Sequence, residues 1–223
     1  MKKILIVMMF VSTIFASDVL LKTIKDNIYI ENGWEKVERY ENGVIVMTKD
    51  IPNIPIKAVM VKQNISIHSD IVAEVVEDIS NYKDFLKSAK AMDANLLYSD
   101  DLKLVGHQHL KLKYVSDRHY AFNMFRPNGN SERVDWELIP EAYFNSLDES
   151  ESVNKDGVYV DIGFGSWSTR KLDNGETEIS YRLVMHPGGK VPKFAIDYIN
   201  KVAIVDLFND AIIEALKRAK ELS

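Results

Sequence analysis

The stretch that decides the fold lies near the end of the sequence, where residues 185–220 read MHPGGKVPKFAIDYINKVAIVDLFNDAIIEALKRAK. Gly188 and Gly189 are conformationally permissive, and Pro192 suits the first position of a helix, where its missing N–H has no cost. On a helical wheel one broad face of the predicted helix is apolar, with Phe194, Tyr198, Val202, Val205, Phe208, Ile212, Leu216 and Ala219. Outside that face lie further apolar residues, which a helix packed on one side would not need: Ile196, Ala203, Ile204, Leu207 and Ile213.

Two interpretations of this helix stand side by side. In the first, the helix simply closes a packed core. In the second, the strands curl around a cavity and the helix is its lid, with the Gly188–Gly189 pair as a hinge. Tyr198 and Asn209, on or near the inner face, would then supply the few polar contacts that orient a mostly apolar ligand.

The rest of the chain predicts one antiparallel sheet with helices gathered around it. A short helix is expected within residues 17–41, and Ser69 is a plausible N-cap for a helix through residues 70–79, with another short helix over residues 81–89. The expected strands cover residues 43–49, 56–67, 94–99, 103–114, 119–126, 132–139, 157–168 and 176–186, and residues 145–157 are expected to form a solvated acidic loop. This order predicts an α+β protein in which a curved antiparallel sheet wraps around the C-terminal helix.

Composition excludes several classes of function. The 223 residues carry a formal net charge of −5, which argues against nucleic-acid binding, and we expect no nucleic-acid partner. The chain contains no cysteine, so thiol catalysis and cysteine-ligated zinc are excluded. We expect a monomer without a cofactor.

The first residues have the pattern of a secretory signal peptide. Lys2 and Lys3 precede an apolar stretch, small residues follow at Ala16 and Ser17, and Asp18 comes too early for a membrane span. We expect residues 1–17 to be a signal peptide, residues 18–223 to be the exported domain, and the destination to be a bacterial periplasm.

Three separated stretches resemble the START family, the steroidogenic-acute-regulatory-related lipid-transfer domains. Residues 33–65 contain the tryptophan, the glycine and the DIPNIPIK run; residues 113–125 read KYVSDRHYAFNMF; and residues 165–201 contain GSW, NGETEISY and HPGGKVP. The resemblance implies a helix-grip fold with an internal hydrophobic tunnel that binds a lipid or another hydrophobic ligand, with transient membrane contact and without chemistry.

The resemblance also implies roles for individual residues. It places Arg118, Pro187, Gly188, Gly189 and Pro192 at the lid and hinge. We expect the ligand to contact Phe122, Met124, Trp136, Tyr181, Leu183, Phe194, Tyr198, Val202, Val205 and Asn209. The sequence departs from the family in two places: His119 follows Arg118 where an aspartate is usual, and the next strand carries Asn123 and Met124 where some members have an arginine. This departure favours a neutral or weakly polar ligand.

Other chemistry remains as an alternative. His107 and His109 share one face of a strand with Lys111 and Lys113, which favours a solvent-facing position over a metal site, since a zinc site needs three or four ligands. Asp135 and Asp161 lie in expected strands and would face either water or the interior. An enzyme of the same superfamily, such as a cyclase or hydrolase acting on an apolar substrate, would need at least two ionisable side chains that converge inside the cavity.

Overall fold

The computed structural model of the chain describes residues 19–88, 92–112, 115–127, 129–186, 188–189 and 203–222. Its helices are α1 (residues 19–28), α2 (Ser69–Glu77), α3 (Tyr82–Phe85), α4 (Glu141–Phe144) and α5 (Ile204–Glu221). Its strands are β1 (Glu35–Arg39), β2 (Ile45–Lys49), β3 (Ala58–Ile65), β4 (Met92–Ser99), β5 (Leu104–Leu110), β6 (Arg118–Phe125), β7 (Arg133–Leu138), β8 (Val158–Tyr159), β9 (Gly163–Lys171) and β10 (Thr177–Met185). No helix in these ranges is both long enough and apolar enough to span a bilayer.

The strands form one large sheet in the order β1-β2-β3-β10-β9-β7-β6-β5-β4, and every pair on this path is antiparallel. The short β8 lies off the path and pairs in parallel with the start of β6. Side chains alternate between the two faces of each strand, so every second residue points toward the C-terminal helix and the residues between them point away from it. We call this alternate position of a residue along its strand its parity. This layout is the α+β architecture that the sequence predicts.

The inner face of the sheet packs against α2, α3 and α5 and forms the main core. On α5 the buried apolar residues are Ile204, Val205, Phe208, Ala211, Ile212 and Ala215. Val205, Phe208 and Ile212 belong to the apolar face predicted for this helix, whereas Ile204 was expected outside it. Two polar contacts attach α5 to the preceding helical region. Asp210 accepts hydrogen bonds from the backbone N–H of Ser88 at 2.6 Å and from its hydroxyl at 3.1 Å, and Arg218 donates to Asp78 at 2.6 Å.

The outer face is covered by two separate segments. The first is α1, whose Ile24 and Ile28 are fully buried in a small cluster with Phe164 and Val184. Beside this cluster Asp135 is buried and pairs with Arg133, and the Tyr29 hydroxyl donates to it at 2.8 Å. Asp135 therefore faces the interior, but beneath α1 and not on the helix-grip side of the sheet.

The second cover is the acidic segment, whose carboxylates are exposed as expected but which is structured and packs apolar residues on the sheet. The chain forms α4 and a 3-10 turn at Asp148–Ser152, and Phe144, Leu147, Val153 and Tyr159 pack over β5 and β6. His107 and His109 are consequently buried, at 0% and 1% exposure, although the sequence favours a solvent-facing position. Only four apolar residues are spread through this acidic segment, so the sequence shows no periodic apolar pattern that would predict the cover.

Smaller differences concern the element boundaries. The five residues of β1 are all exposed, so this edge strand carries no alternating signal and was not predicted. The expected strand at 157–168 divides into β8 and β9, because the chain changes its pairing partner from β6 to β7 and β10. Ser69 is the first residue of α2, and the N-cap is His68, without a side-chain capping bond.

Candidate functional site

A cavity of about 720 Å³ lies between the inner face of the sheet and the helices α2, α3 and α5. Its volume falls within the range of roughly 300–1,000 Å³ that is typical of small-molecule sites. Most of the residues that line it are apolar or aromatic. The interpretation of the last helix as one wall of a hollow therefore fits the structure better than a fully packed core.

Five of the residues expected to contact a ligand lie together at this cavity. They come from three strands and are Phe122 and Met124 on β6, Trp136 on β7, and Tyr181 and Leu183 on β10. Each has the parity that points its side chain to the inner face. Whether they contact a ligand remains a prediction.

Glycines opposite two of these rings make the cavity wall possible. Gly165 pairs with Trp136, and a Cβ atom at Gly165 would lie 2.4 Å from the indole ring. Gly106 pairs with Phe122, and a Cβ there would lie 2.4 Å from the phenyl ring. The rings lie across neighbouring strands only because these two positions lack side chains.

An aromatic stack continues the wall from the sheet to the helix. The Trp167 ring is stacked on Tyr181, with centroids 4.4 Å apart, and on Phe208 of α5, with centroids 5.5 Å apart and nearly parallel planes. Offset or stacked aromatic pairs add stabilisation beyond the area they bury. The stack therefore fixes the distance between α5 and the sheet at this point.

The helical side of the cavity combines the C-terminal helix, which was expected to close it, with α2 and α3, which were not assigned to it. It is formed by Val75 and Val76 of α2, Tyr82 and Phe85 of α3, and Leu86, together with Ile204, Leu207 and Ala211 of α5. The apolar stripe of α2 was visible in the sequence. The assignment of that stripe to a cavity, however, depends on how α2 packs beside α5.

The polar groups inside the cavity form one cluster, which was not predicted from the sequence. The Tyr120 hydroxyl donates to the side-chain oxygen of Gln108, its partner in the β5–β6 register. Tyr181 and Tyr82 lie near Tyr120, and burial raises the pKa of all three phenols above the ordinary value. These side chains are therefore neutral at physiological pH. Parity offered a signal, since Tyr120 lies two residues before Phe122.

Formal charges lie only at the edge of the described part of the cavity. Lys111 is exposed and lies 3.6 Å from Asp93, and Asp206 is half-buried on α5. Burial raises the pKa of Asp206, and the neighbouring Asp210 raises it further. No other described residue that lines the cavity carries a formal charge.

The remaining predicted residues are distributed differently. Val205 packs in the main core, and Asn209 accepts a hydrogen bond from Asn42 at 3.3 Å, on the turn between β1 and β2. Arg118 is buried and donates to the carbonyl of Gly188 at 3.3 Å, and both Gly188 and Gly189 have left-handed backbone conformations. Outside the described residues lie Pro187, Pro192, Phe194, Tyr198 and Val202.

The buried histidines form a separate cluster on the outer face. His107 stacks on Phe144, and its Nε2 lies 3.5 Å from Nδ1 of His119. Burial lowers the pKa of His107 to about 4 and lowers that of His119. Within the described ranges no three His, Asp or Glu side chains are arranged to hold a metal ion.

Comparisons with known proteins identify the fold. No protein-family model matches the sequence, and no curated protein matches it. Among solved structures, human StAR-related lipid transfer protein 5 matches with a TM-score of 0.63 and 12% identity, covering 91% of this chain and 95% of that one. A STAR-related lipid transfer protein from Xanthomonas axonopodis matches with a TM-score of 0.61 and 16% identity, covering 85% and 99%. The Zhui aromatase/cyclase from Streptomyces matches with a TM-score of 0.51 and 14% identity, covering 72% and 94%.

Proposed function

We propose that this chain, which has a START-like helix-grip fold, binds a lipid or another hydrophobic molecule in the cavity and carries it between sites. The observation that supports the proposal most directly is the cavity of about 720 Å³, bounded by apolar side chains of the sheet and of α5. Filling a hollow of this kind with an apolar molecule removes water from both surfaces, at roughly 25 cal/mol per Å². The solved structures of similar fold include proteins described as lipid transfer proteins, which is consistent with this function.

We further propose that the chain works in a bacterial periplasm, after removal of residues 1–17. A hydrophobic molecule that crosses this aqueous space needs a carrier that shields it from water. Loading and unloading would require transient contact with a membrane. The acidic balance of the chain weakens any role for attraction to anionic lipid in that contact.

The test is to identify what the protein retains during purification. Protein isolated from its exported form should be extracted with organic solvent, and the extract analysed by mass spectrometry. We expect one class of hydrophobic molecule, in near-stoichiometric amount, that a mock purification does not yield. Repeated recovery of nothing, together with failure of the purified protein to take up an added apolar dye, would contradict the proposal.

An enzyme of the same superfamily is the second candidate, favoured by one observation. Three ionisable side chains, Tyr82, Tyr120 and Tyr181, converge at the cavity, and one solved structure of similar fold is an aromatase/cyclase. Their raised pKa values make them poor bases at neutral pH, since a general base works best with a pKa near the operating pH. They remain suited to donating hydrogen bonds, which serves binding as well as catalysis.

A further inference from the structure

The polar cluster of the cavity, defined as Gln108, Tyr82, Tyr120 and Tyr181, contains hydrogen-bond donors that no described protein group accepts from. Tyr82 donates to the backbone carbonyl of Val76, and Tyr120 donates to the Gln108 oxygen, so both of these hydroxyl protons are already engaged. Two donors remain at the cavity surface. They are the amide nitrogen of Gln108 and the hydroxyl of Tyr181, neither of which has an acceptor among the residues that the structure describes.

Two of the oxygens in this cluster already accept a hydrogen bond. The Gln108 carbonyl accepts from Tyr120, and the Tyr181 oxygen receives a hydrogen-bonding contact from the indole of Trp136, which partly offsets the rise in its pKa caused by burial. A ligand therefore meets donors at both positions. Because an unpaired buried donor is costly, the complementary ligand is one that places an acceptor oxygen here.

We infer that, within the proposed binding function, the ligand is an uncharged hydrophobic molecule with a carbonyl, ester or ether oxygen that accepts hydrogen bonds from Gln108 and Tyr181. The cluster contains no cation to hold a carboxylate or phosphate and no carboxylate to hold an amine. A charged group buried here without a partner would be strongly disfavoured. This inference rests on the proposed function and specifies the chemical class of its ligand.

The experiment compares two probes that differ only in a carbonyl group. Acetylnaphthalene and ethylnaphthalene, substituted at the same ring position, compete with the fluorescent hydrocarbon diphenylhexatriene for protein stripped of retained molecules. For each variant we divide the affinity for the ketone by the affinity for the hydrocarbon and call the ratio the preference. A change in folding or cavity size that affects both affinities equally cancels in this ratio. We expect Gln108→Leu and Tyr181→Phe each to lower this preference by about five- to tenfold, the usual effect of one neutral hydrogen bond.

Tyr82→Phe is the matched control, because its hydroxyl proton is already donated within the protein. This variant also loses one hydroxyl group from the cavity. Its preference should stay within about twofold of wild type, even if its affinities for the two probes both change. An equal loss of preference in Tyr82→Phe and Tyr181→Phe would overturn the inference, since the loss would then not depend on a free donor.

A measurement on the wild type alone covers the case in which a variant fails to fold. The infrared carbonyl stretch of bound acetylnaphthalene should lie at the lower frequency of a hydrogen-bonded ketone, and a stretch at its value in alkane would overturn the inference. If diphenylhexatriene does not bind the wild type at all, the proposed function fails and this inference fails with it. If the dye and both naphthalenes bind but the preference is the same in every variant, only the inference fails.

Discussion

Replacing Gly165 by alanine should distort the cavity wall, and the structure fixes the size of the effect. A Cβ atom at this position lies 2.4 Å from Cε2 of Trp136 and 2.5 Å from its Cζ2. Ordinary van der Waals contact begins near 3.4 Å, so the indole must retreat by about 1 Å. Gly165 lies within β9 between two neighbouring strands, so the indole, which lines the cavity, has more freedom to move than the backbone.

The expected change in free energy of unfolding has two parts. Overpacking of this kind costs about 1–3 kcal/mol, and the loss of glycine's freedom in the unfolded chain returns about 0.4–1 kcal/mol. We expect a net destabilisation of about 1–2 kcal/mol, which lowers Tm by about 2–8 °C for a domain of this size. The displaced ring should also weaken diphenylhexatriene binding.

A double-mutant cycle separates this clash from any general effect. Urea unfolding of wild type, Gly165→Ala, Trp136→Leu and the double variant gives the coupling between the two positions. Leucine lacks the ring atoms that meet the new methyl group, so the Gly165→Ala penalty should disappear in the Trp136→Leu background. We expect a coupling of about 1–3 kcal/mol, which is the overpacking term, because the unfolded-state effect of alanine is the same in both backgrounds. Additive effects of the two substitutions would refute the account of this contact.

Three further predictions follow from other parts of the molecule. Asp210→Ala should lower the free energy of unfolding by about 2 kcal/mol, because two hydrogen bonds from Ser88 lose a charged acceptor; Asp206→Ala on the same helix is the control, and equal losses would contradict the role of this contact. His107 is buried as the neutral form with a pKa of about 4, so stability should be complete above about pH 6.5 and should fall by about 3 kcal/mol as the pH drops toward 4. Urea unfolding across that pH range measures this loss, and His107→Gln should make the free energy of unfolding depend less on pH. Expressed in a bacterium, the chain should be exported and its N-terminal sequence should begin near Ser17 or Asp18, whereas mature protein that retains Met1 would contradict the signal peptide.

The sequence predicted the fold well because its strongest signals are local. The β-rich runs of β3 and β6 and the apolar face of α5 each appear within one segment, and the bounds of the two strands lie within two residues of those expected. The exposed β1 and the cover around Phe144 were missed because few of their residues form a continuous apolar pattern. Their positions depend on partners that are distant in the sequence.

The candidate site was less predictable for a related reason. Phe122 and Met124 were expected at the cavity, and Tyr120, two residues before Phe122, points to the same face and lines the cavity together with Gln108. Their role as a polar cluster, however, depends on which hydroxyl protons are already donated within the protein. The groups that accept these protons lie on other elements, Val76 on α2 and Gln108 on β5. Asn209 was expected on or near the inner face of α5, and in the structure its side chain accepts a hydrogen bond from Asn42, a contact that helical periodicity alone does not predict.

The strict alternation along β6 constrains how this scaffold changes during evolution. Point substitutions at Tyr120, Phe122 and Met124 reshape the cavity without touching the histidine cluster on the other face. A one-residue shift of the whole strand, as after an insertion just before Arg118, would exchange the two sets, bringing His119 and Asn123 inside and turning the aromatic rings outward. The cavity can therefore be adapted to a different ligand by replacing the inward-facing residues of the strand. Insertions and deletions are tolerated only in the connecting turns.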